Sequence, residues 1–471
     1  MSNRLQVPGV NNNVDSTDDL RESNHLEKIR VSESDLSSQF NLAYRALILV
    51  AKGDSERQAV QRAAGSEPRL NGVKREALVL VLGIVSEQDA LDIRIQTVML
   101  QEKIGVTARS LFRLAAYSVG RLDSKGQVQV RRMEHILRVI SPIELLPKLE
   151  FLIVSLLALD PIGRLSGLGD PERVALQTHN PVWWVNYCFR VFGRGEAIAI
   201  LSSKPRPRYL RVNPLRNGGR TTLPKELGVL VKRLTKVPST SGVYTIGGSL
   251  SAFAGFFSSG ILQMQDLASY LAVTAGDPRP REKVLDMCAA PGAKTAAIAQ
   301  KMKNQGAVVS VDYSPARMEG WKREIHRLGV KIADPVIGDA ARQGLCESFD
   351  LALIDPPCTG TGVFDRNPRM KWHLSPQLVD RYSILQRQFL ESAAALTSED
   401  GRILYCTCSL TIEENEQVIS AFLKSHPEFE TRAILEHYGS PGLKGLTECR
   451  RFYPHRDRTA GYFVARMQRT N

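Results

Sequence analysis

The sequence predicts a doubly wound α/β domain that carries the chemistry, preceded by an all-α domain and a small, basic α+β module. Three observations lead there. After Asp277, short apolar runs alternate with amphipathic stretches of helical length, the pattern of a mostly parallel sheet. From 39 to 160, apolar residues recur at three-to-four spacing with no strand alternation. Between the two lies a stretch rich in Gly, Pro and cations. At ~150 residues per domain, 471 residues suggest about three domains. The spans are read as 1–38 (tail), 39–165 (helical), 166–275 (α+β) and 276–471 (α/β).

Composition sets the partners. The 62 Lys and Arg outnumber 49 Asp and Glu, for a net charge of +13. Such an excess favours a polyanion, because a basic surface gains by releasing phosphate counterions. The 7 cysteines are odd in number and scattered, and no CxxC pair occurs. Neither a disulfide framework nor a structural zinc site fits, and no metal is expected. No signal peptide is legible, and the longest apolar run, "FLIVSLLAL" at 151–159, is too short to span a bilayer. A soluble, cytoplasmic protein with no membrane partner is expected, as a monomer.

Residues 1–38 hold 4 Lys or Arg against 7 Asp or Glu with few large apolar residues, and read as a disordered acidic tail. "FNLAYRALILVAKG" and "VKREALVLVLGIVSEQDALDIRIQTVMLQ" then read as helices of a bundle used for binding. In the next module, "SSKPRPRYLRVNPLRNGGRTTLPK" carries Lys204, Arg206, Arg208, Arg211, Arg216, Arg220 and Lys225. No acid interrupts it, so it reads as a nucleic-acid surface rather than an ordinary charged face, which would mix both signs. "RRFYPHRDR" at 450–458 adds Arg451 and Arg456, with Phe452 and Tyr453 for stacking on bases.

In the α/β part, strands are legible at "KVLDMCA", "AVVSVDYS", "ADPVIGD", "FDLALIDPP" and "GRILYCTCS". Ligands of such sheets bind beyond the carboxyl ends of the strands. The first strand runs into the small-residue loop Cys288, Ala289, Ala290, Pro291, Gly292, Ala293 and Lys294. Small side chains let backbone approach a ligand, and the following helix offers free amides. The loop is neither GxGxxG nor GxxxxGK[ST], so a polyphosphate is poorly served. Asp312, Asp339 and Asp355 close the next three strands. One terminal Asp can be a helix cap. Three in succession describe a pocket for a nucleoside without polyphosphate, which points to S-adenosylmethionine.

Cys358 follows the fourth strand and Cys408 ends the fifth. On neighbouring strands, both sulfurs and Asp355 reach one crevice. A helix beginning near Ile412, and Lys294, are expected to favour a thiolate. That set suits methylation of pyrimidine carbon 5, which becomes nucleophilic once a thiolate adds to carbon 6. An acid at ring nitrogen 3 would stabilise the developing charge, and a base must then remove the carbon-5 proton. Cys406 alternates with Cys408 and is expected to face a core.

"VNPLR", "QMQDLAS", "DMCAAPGAKT", "DPPCTGTGVFDRNPRMKW", "YCTCSLTIEENE" and "RFYPHRDRTAGYFVARM" resemble the RNA cytosine-5 methyltransferase family, the Nop–Sun group, in its RsmB type. The resemblance covers roughly 180–471, and more loosely the NusB-like RNA-binding domain over 39–160. It implies a Rossmann-like methyltransferase fold that binds S-adenosylmethionine through Cys288 to Lys294 with Asp312, Asp339 and Asp355. It implies Cys408 as nucleophile and Cys358 as the cysteine assisting proton removal and release. Lys294 would point toward the reacting base. The RsmB-type architecture favours ribosomal RNA as partner, with transfer RNA second. Here "DPPC" and "PGAK" depart mildly from the commoner forms.

Three other readings compete. An amino-methyltransferase wants an aromatic residue where Cys358 stands. A DNA cytosine-5 methyltransferase lacks the TCS cysteine. A non-catalytic RNA-binding assembly factor would not need both thiols and Asp355.

Overall fold

The computed structural model describes residues 33–65, 67–99, 103–120, 127–158, 168–204, 206–342 and 348–470. The chain divides into two compact units, Met1–Pro161 and Ile162–Asn471.

The first unit is helical: α1 (Glu33–Ala51), α2 (Glu56–Ala64), α3 (Lys74–Ser86), α4 (Gln88–Met99), α5 (Val106–Val119), α6 (Gln127–Ile140) and α7 (Leu146–Ala158). In α1, Phe40, Ala43, Leu47 and Val50 fall on one buried face at three-to-four spacing. The tail expected over 1–38 lies outside the described residues as far as 32, and from Glu33 the chain is already helix. The acids that read as tail there include Asp35 in the first turn, where the helix dipole favours negative charge.

The second unit opens with α8 (Asp170–Thr178), α9 (Val182–Phe192) and α10 (Arg194–Leu201). A four-stranded antiparallel sheet follows, built from β1 (Arg208–Val212), β2 (Leu234–Lys236), β3 (Val243–Ile246) and, after α11 (Ala254–Ser258), β4 (Leu262–Met264), in the order β2-β3-β1-β4. Helix α12 (Leu267–Gly276) leads into the large sheet. The boundary expected at 276 falls at the end of this helix. Its Leu271, Ala272, Val273 and Ala275 share one core with Val284, Leu351 and Leu404 of the sheet.

The large sheet contains β5 (Lys283–Met287), β6 (Ala307–Asp312), β7 (Ala333–Ile337), β8 (Phe349–Ile354) and β9 (Thr397–Thr407). The intervening helices are α13 (Ala293–Lys301), α14 (Pro315–Arg327), α15 (Arg369–His373) and α16 (Pro376–Leu396). After α17 (Glu416–Ser425) come β10 (Phe429–Thr431), β11 (Ser440–Pro441), β12 (Arg450–Phe452), α18 (Pro454–Asp457) and β13 (Tyr462–Arg469). The order is β11-β12-β13-β9-β8-β5-β6-β7, with β10 on β13.

β5 to β9 are parallel, whereas β13 runs antiparallel to β9. Their side chains alternate between two cores. Val284, Leu351, Leu353 and Leu404 face one; Leu285, Met287, Ala352 and Ile403 face the other. Burial on both faces is what parallel strands covered by helices require. The register sets Met287 beside Ile354 and Ile354 beside Tyr405, so β5, β8 and β9 end together. Among the described residues, no helix is long and apolar enough to cross a membrane, and no cluster of ligating side chains fits a metal.

Candidate active site

Cys358 and Cys408 meet. Their sulfurs lie 3.3 Å apart, although 50 residues separate them in sequence, because β8 and β9 are neighbours. Both side chains are half-buried. The hydrogen bond with Cys408, burial, and the electrostatic influence of Cys408 and Glu414 push the Cys358 thiol far above its ordinary range. Cys358 is therefore hard to ionise in this pair, and a proton shared between the two sulfurs links them.

Beside them, Asp355 accepts a hydrogen bond from Lys294 Nζ, and a second from the Tyr462 hydroxyl at 3.3 Å. Burial works against a charged Lys294, but Asp355, Cys406 and Asp286 hold it protonated, above the usual lysine range. The lysine is thus committed to Asp355. Cys406 is buried in a core as expected, but not by alternating with Cys408. Residues two apart in a strand share a face, both cysteines pack on the same cluster, and the Cys406 sulfur lies 3.7 Å from Asp355 Oδ1. Tyr462 escaped sequence reasoning. It opens β13, whose antiparallel run sets Val464 beside Cys406 and returns the chain to the strand ends. The helix expected near Ile412 begins only at Glu416, so its N-terminus is not next to Cys408. The residues between are held in turns by side-chain hydrogen bonds, such as Thr411 N to Ser409 Oγ at 3.1 Å.

The loop 288–294 lies at the end of β5. Ala289 and Ala290 are buried, and Gly292 has φ +105°, where a side chain would be strained and would press on Trp321. Asp312 ends β6 fully buried, accepting from Ala290 N at 3.3 Å and Ser314 N at 3.1 Å. Arg317 covers it with an ion pair at 3.1 Å, so a diol reaches this carboxylate only when Arg317 yields. Asp339 is exposed just past β7 and accepts from Ala341 N at 3.0 Å. Asp286, which sequence reasoning passed over, is buried in β5. It accepts from Thr295 Oγ1, and burial pushes it up to about 7. These groups fit a cationic nucleoside cofactor. Carboxylates dominate, the loop's one lysine is already spoken for, and Arg317 is engaged by Asp312, so a polyphosphate is poorly served.

The basic stretch does not form one surface. Arg206 is buried, paired with Asp266 at 3.1 Å and Asp365 at 3.0 Å. Arg211 is buried in β1, donating to Gln265 Oε1 at 2.6 Å and to Gln263, and burial pulls it down to about 10. Arg208 donates to the Gly248 carbonyl, and Arg216 to the carbonyls of Arg327 and His326. Lys204, Arg220 and Lys225 remain exposed. At the other end, Arg451 is fully buried against Glu416, also fully buried, with Phe452 and Tyr453 buried beside it. Arg456 is half-exposed on Glu196 at 2.6 Å. Arg206, Arg211 and Arg451 are turned inward, where carboxylates and glutamine side chains satisfy their donors, whereas Arg216 and Arg456 stay exposed with partners of their own.

An acid at each successive strand end, beyond a loop of small residues, is the ligand-binding edge of an S-adenosylmethionine-dependent methyltransferase. The paired thiols narrow the class, and comparison with known proteins completes it. Residues 273–468 match the family described as 16S rRNA methyltransferase RsmB/F. The chain is 32% identical, over 65% of its length, to 70% of the Bacillus subtilis probable ribosomal RNA small subunit methyltransferase B. It is 33% identical to the human 28S rRNA (cytosine(4447)-C(5))-methyltransferase, over 59% of this chain and 36% of that protein. The Pyrococcus horikoshii tRNA (cytosine(72)-C(5))-methyltransferase is 33% identical over 45% of this chain and 54% of its own. The crystal structure of PH0851 superposes with a TM-score of 0.79 at 25% identity, covering 94% of this chain and all of that one. The chain belongs to the RsmB/F family, and so to the RNA cytosine-C5 methyltransferases.

Proposed function

We propose that this protein methylates carbon 5 of a cytosine in ribosomal RNA, with Cys408 Sγ bonded transiently to carbon 6 of the base. The observation that carries the reading is the thiol pair at 3.3 Å with Asp355 at the adjoining strand end. S-adenosylmethionine, when bound, supplies an electrophilic methyl group on a sulfonium. Its binding would fall to 288–294, Asp312, Asp339 and Asp355.

The S–H of Cys358 stabilises a thiolate on Cys408, the stronger nucleophile of the pair in that state. Asp355, held by Lys294 and Tyr462, would face ring nitrogen 3 and accept a hydrogen bond from it once that nitrogen carries a proton. Lys294 keeps a positive charge there while negative charge builds on the ring. The order of steps follows from what raises the Cys358 thiol. The hydrogen bond to Cys408 and the Cys408 charge are among its causes, and both vanish once Cys408 is alkylated. Cys358 then becomes easier to ionise although burial and Glu414 still act on it, and once its own proton has passed to solvent its thiolate would take the carbon-5 proton.

For RNA contact, exposed cations lie elsewhere than the sequence placed most of them. A groove of about 820 Å³ is lined by Lys232, Arg233, Lys236, His437 and Arg458. Its one lining acid, Asp457, is turned to Tyr453 N. Lys232, Lys236 and Arg458 are exposed, and suit a phosphate backbone. We assign the helical unit, read as NusB-like, to RNA binding as well. The cysteines described are free, which fits a reducing compartment such as the cytoplasm.

The test is transfer of labelled methyl to ribosomal RNA, with bisulfite mapping of the product. The wild type should protect a defined cytosine, and Cys408→Ser should abolish transfer. Full activity of that variant overturns the nucleophile, and protection confined to transfer RNA overturns the substrate.

A further inference from the structure

The stretch Thr411–Glu416 stands out for a reason its carboxylates make plain. Glu414 is fully buried, and among the described residues no lysine or arginine pairs with it. A buried carboxylate without a counter-ion is costly, and persists where several donors converge on it. Here they come from three segments. Thr359 donates through N at 2.8 Å and also through Oγ1. Ser409 Oγ donates at 2.6 Å, Thr411 Oγ1 at 2.7 Å and Gln386 Nε2 at 3.1 Å.

The identity of those donors matters. Thr359 is the residue after Cys358, and Ser409 is the residue after Cys408. Gln386, from α16, also donates to the Pro357 carbonyl at 3.0 Å, so the first cysteine loop is gripped on both sides of the thiol. Gly362 N donates to the Cys408 carbonyl at 2.9 Å and adds a second tie between the loops. Only an acceptor with lone pairs to spare can collect so many donors; a glutamine would turn an NH2 toward some of them.

Two residues on, Glu416 provides the contrast. It is equally buried, but Arg451 neutralises it, and it braces Leu443 N at 2.9 Å without touching the Cys358 loop.

We propose that Glu414 is the positioning residue of the two-thiol centre, fixing the separation of Cys358 and Cys408 by fastening the residue that follows each. The assignment rests on the proposed roles of the two cysteines for its kinetic consequence, but not for the geometry itself.

The test uses the full chain with Glu414→Gln, and Glu416→Gln as the comparison. Phenylarsine oxide reports the geometry directly: arsenic takes up two nearby thiols, both S–H protons leave with the oxide oxygen as water, and two As–S bonds form. Glu414→Gln should weaken its binding at least ~10-fold and lower kcat about 100-fold, the scale expected for misplacing a reacting group by about 1 Å. KM for RNA and the affinity for S-adenosylmethionine should stay within about twofold, because neither surface is touched. Glu416→Gln should lower Tm and leave arsenical binding intact. The proposal is overturned if Glu414→Gln binds the arsenical like wild type. It is equally overturned if both variants lose arsenical affinity in step with Tm, which would make Glu414 a fold brace. Should the wild type transfer no methyl at all, the functional reading fails while the arsenical arm still decides the role of Glu414.

Discussion

The segment 355–416 and the segment 204–225 were both singled out by side-chain chemistry, and they fared in opposite ways. In the first, Asp355, Cys358 and Cys408 converge as their positions at strand ends foretold. In the second, Arg206 and Arg211 disappear into the interior, one held by acids and the other by glutamine side chains. The difference lies in what fixes direction. A residue just past the carboxyl end of a parallel strand emerges at the ligand edge whatever its neighbours are. A cation within an unassigned stretch faces water or protein according to strand register and the partners it finds. Charge of one sign along the chain does not predict charge of one sign on a surface.

The largest expected effect tests the converging segment. Cys358→Ala should leave Cys408 able to add to the base but without its partner thiol to take the carbon-5 proton. Turnover should fall by at least the 10²-fold typical of losing a general base. A covalent RNA–protein adduct should accumulate, visible as a slow-migrating band on a denaturing gel. An activity loss with no such band would place Cys358 before bond formation, as a donor to the thiolate alone.

The same contrast explains what was legible. β5 to β9 and their helices were readable because alternation of apolar and amphipathic runs is a local pattern. β10 to β13 were not assigned, being short or antiparallel additions whose place depends on distant pairing, as when Tyr462 arrives through its register with β9. Glu414 was hidden in the same way. In sequence it is one acid among several in "TIEENE", and only the fold brings Thr359 and Gln386 to it. Asp286 looked like one strand residue among apolar ones, yet burial pushes its carboxyl up to about 7, against the pull of the hydrogen bond it accepts from Thr295.

A second prediction separates buried from exposed cations. Arg206→Ala strips the counter-charge from Asp266 and Asp365, so it should cost about 3 kcal/mol of stability, the scale for breaking a buried ion pair. In thermal melts this would appear as a lower Tm. RNA affinity measured well below that temperature should keep the wild-type salt slope. A flattened slope with unchanged Tm would return Arg206 to the nucleic-acid surface.

The smallest effect belongs to the groove that exposes what the basic stretch does not. Lys232 and Lys236 are exposed at its rim and, among the described residues, neither makes an ion pair. Each lysine that neutralises a phosphate of single-stranded RNA contributes about 0.7 to the slope of log affinity against log salt. Changing both to Ala should therefore make the slope shallower by about 1.4, with Tm unmoved because neither side chain is packed. Titrations of full-length protein with RNA at several salt concentrations would measure it. An unchanged slope would mean that the backbone runs elsewhere, leaving Lys204, Arg216, Arg220 and Lys225 as the exposed remnant of the stretch first read as the RNA surface. A loss of affinity equal at every salt concentration would mean that the lysines shape the groove without meeting phosphate, since only released counterions produce the salt dependence.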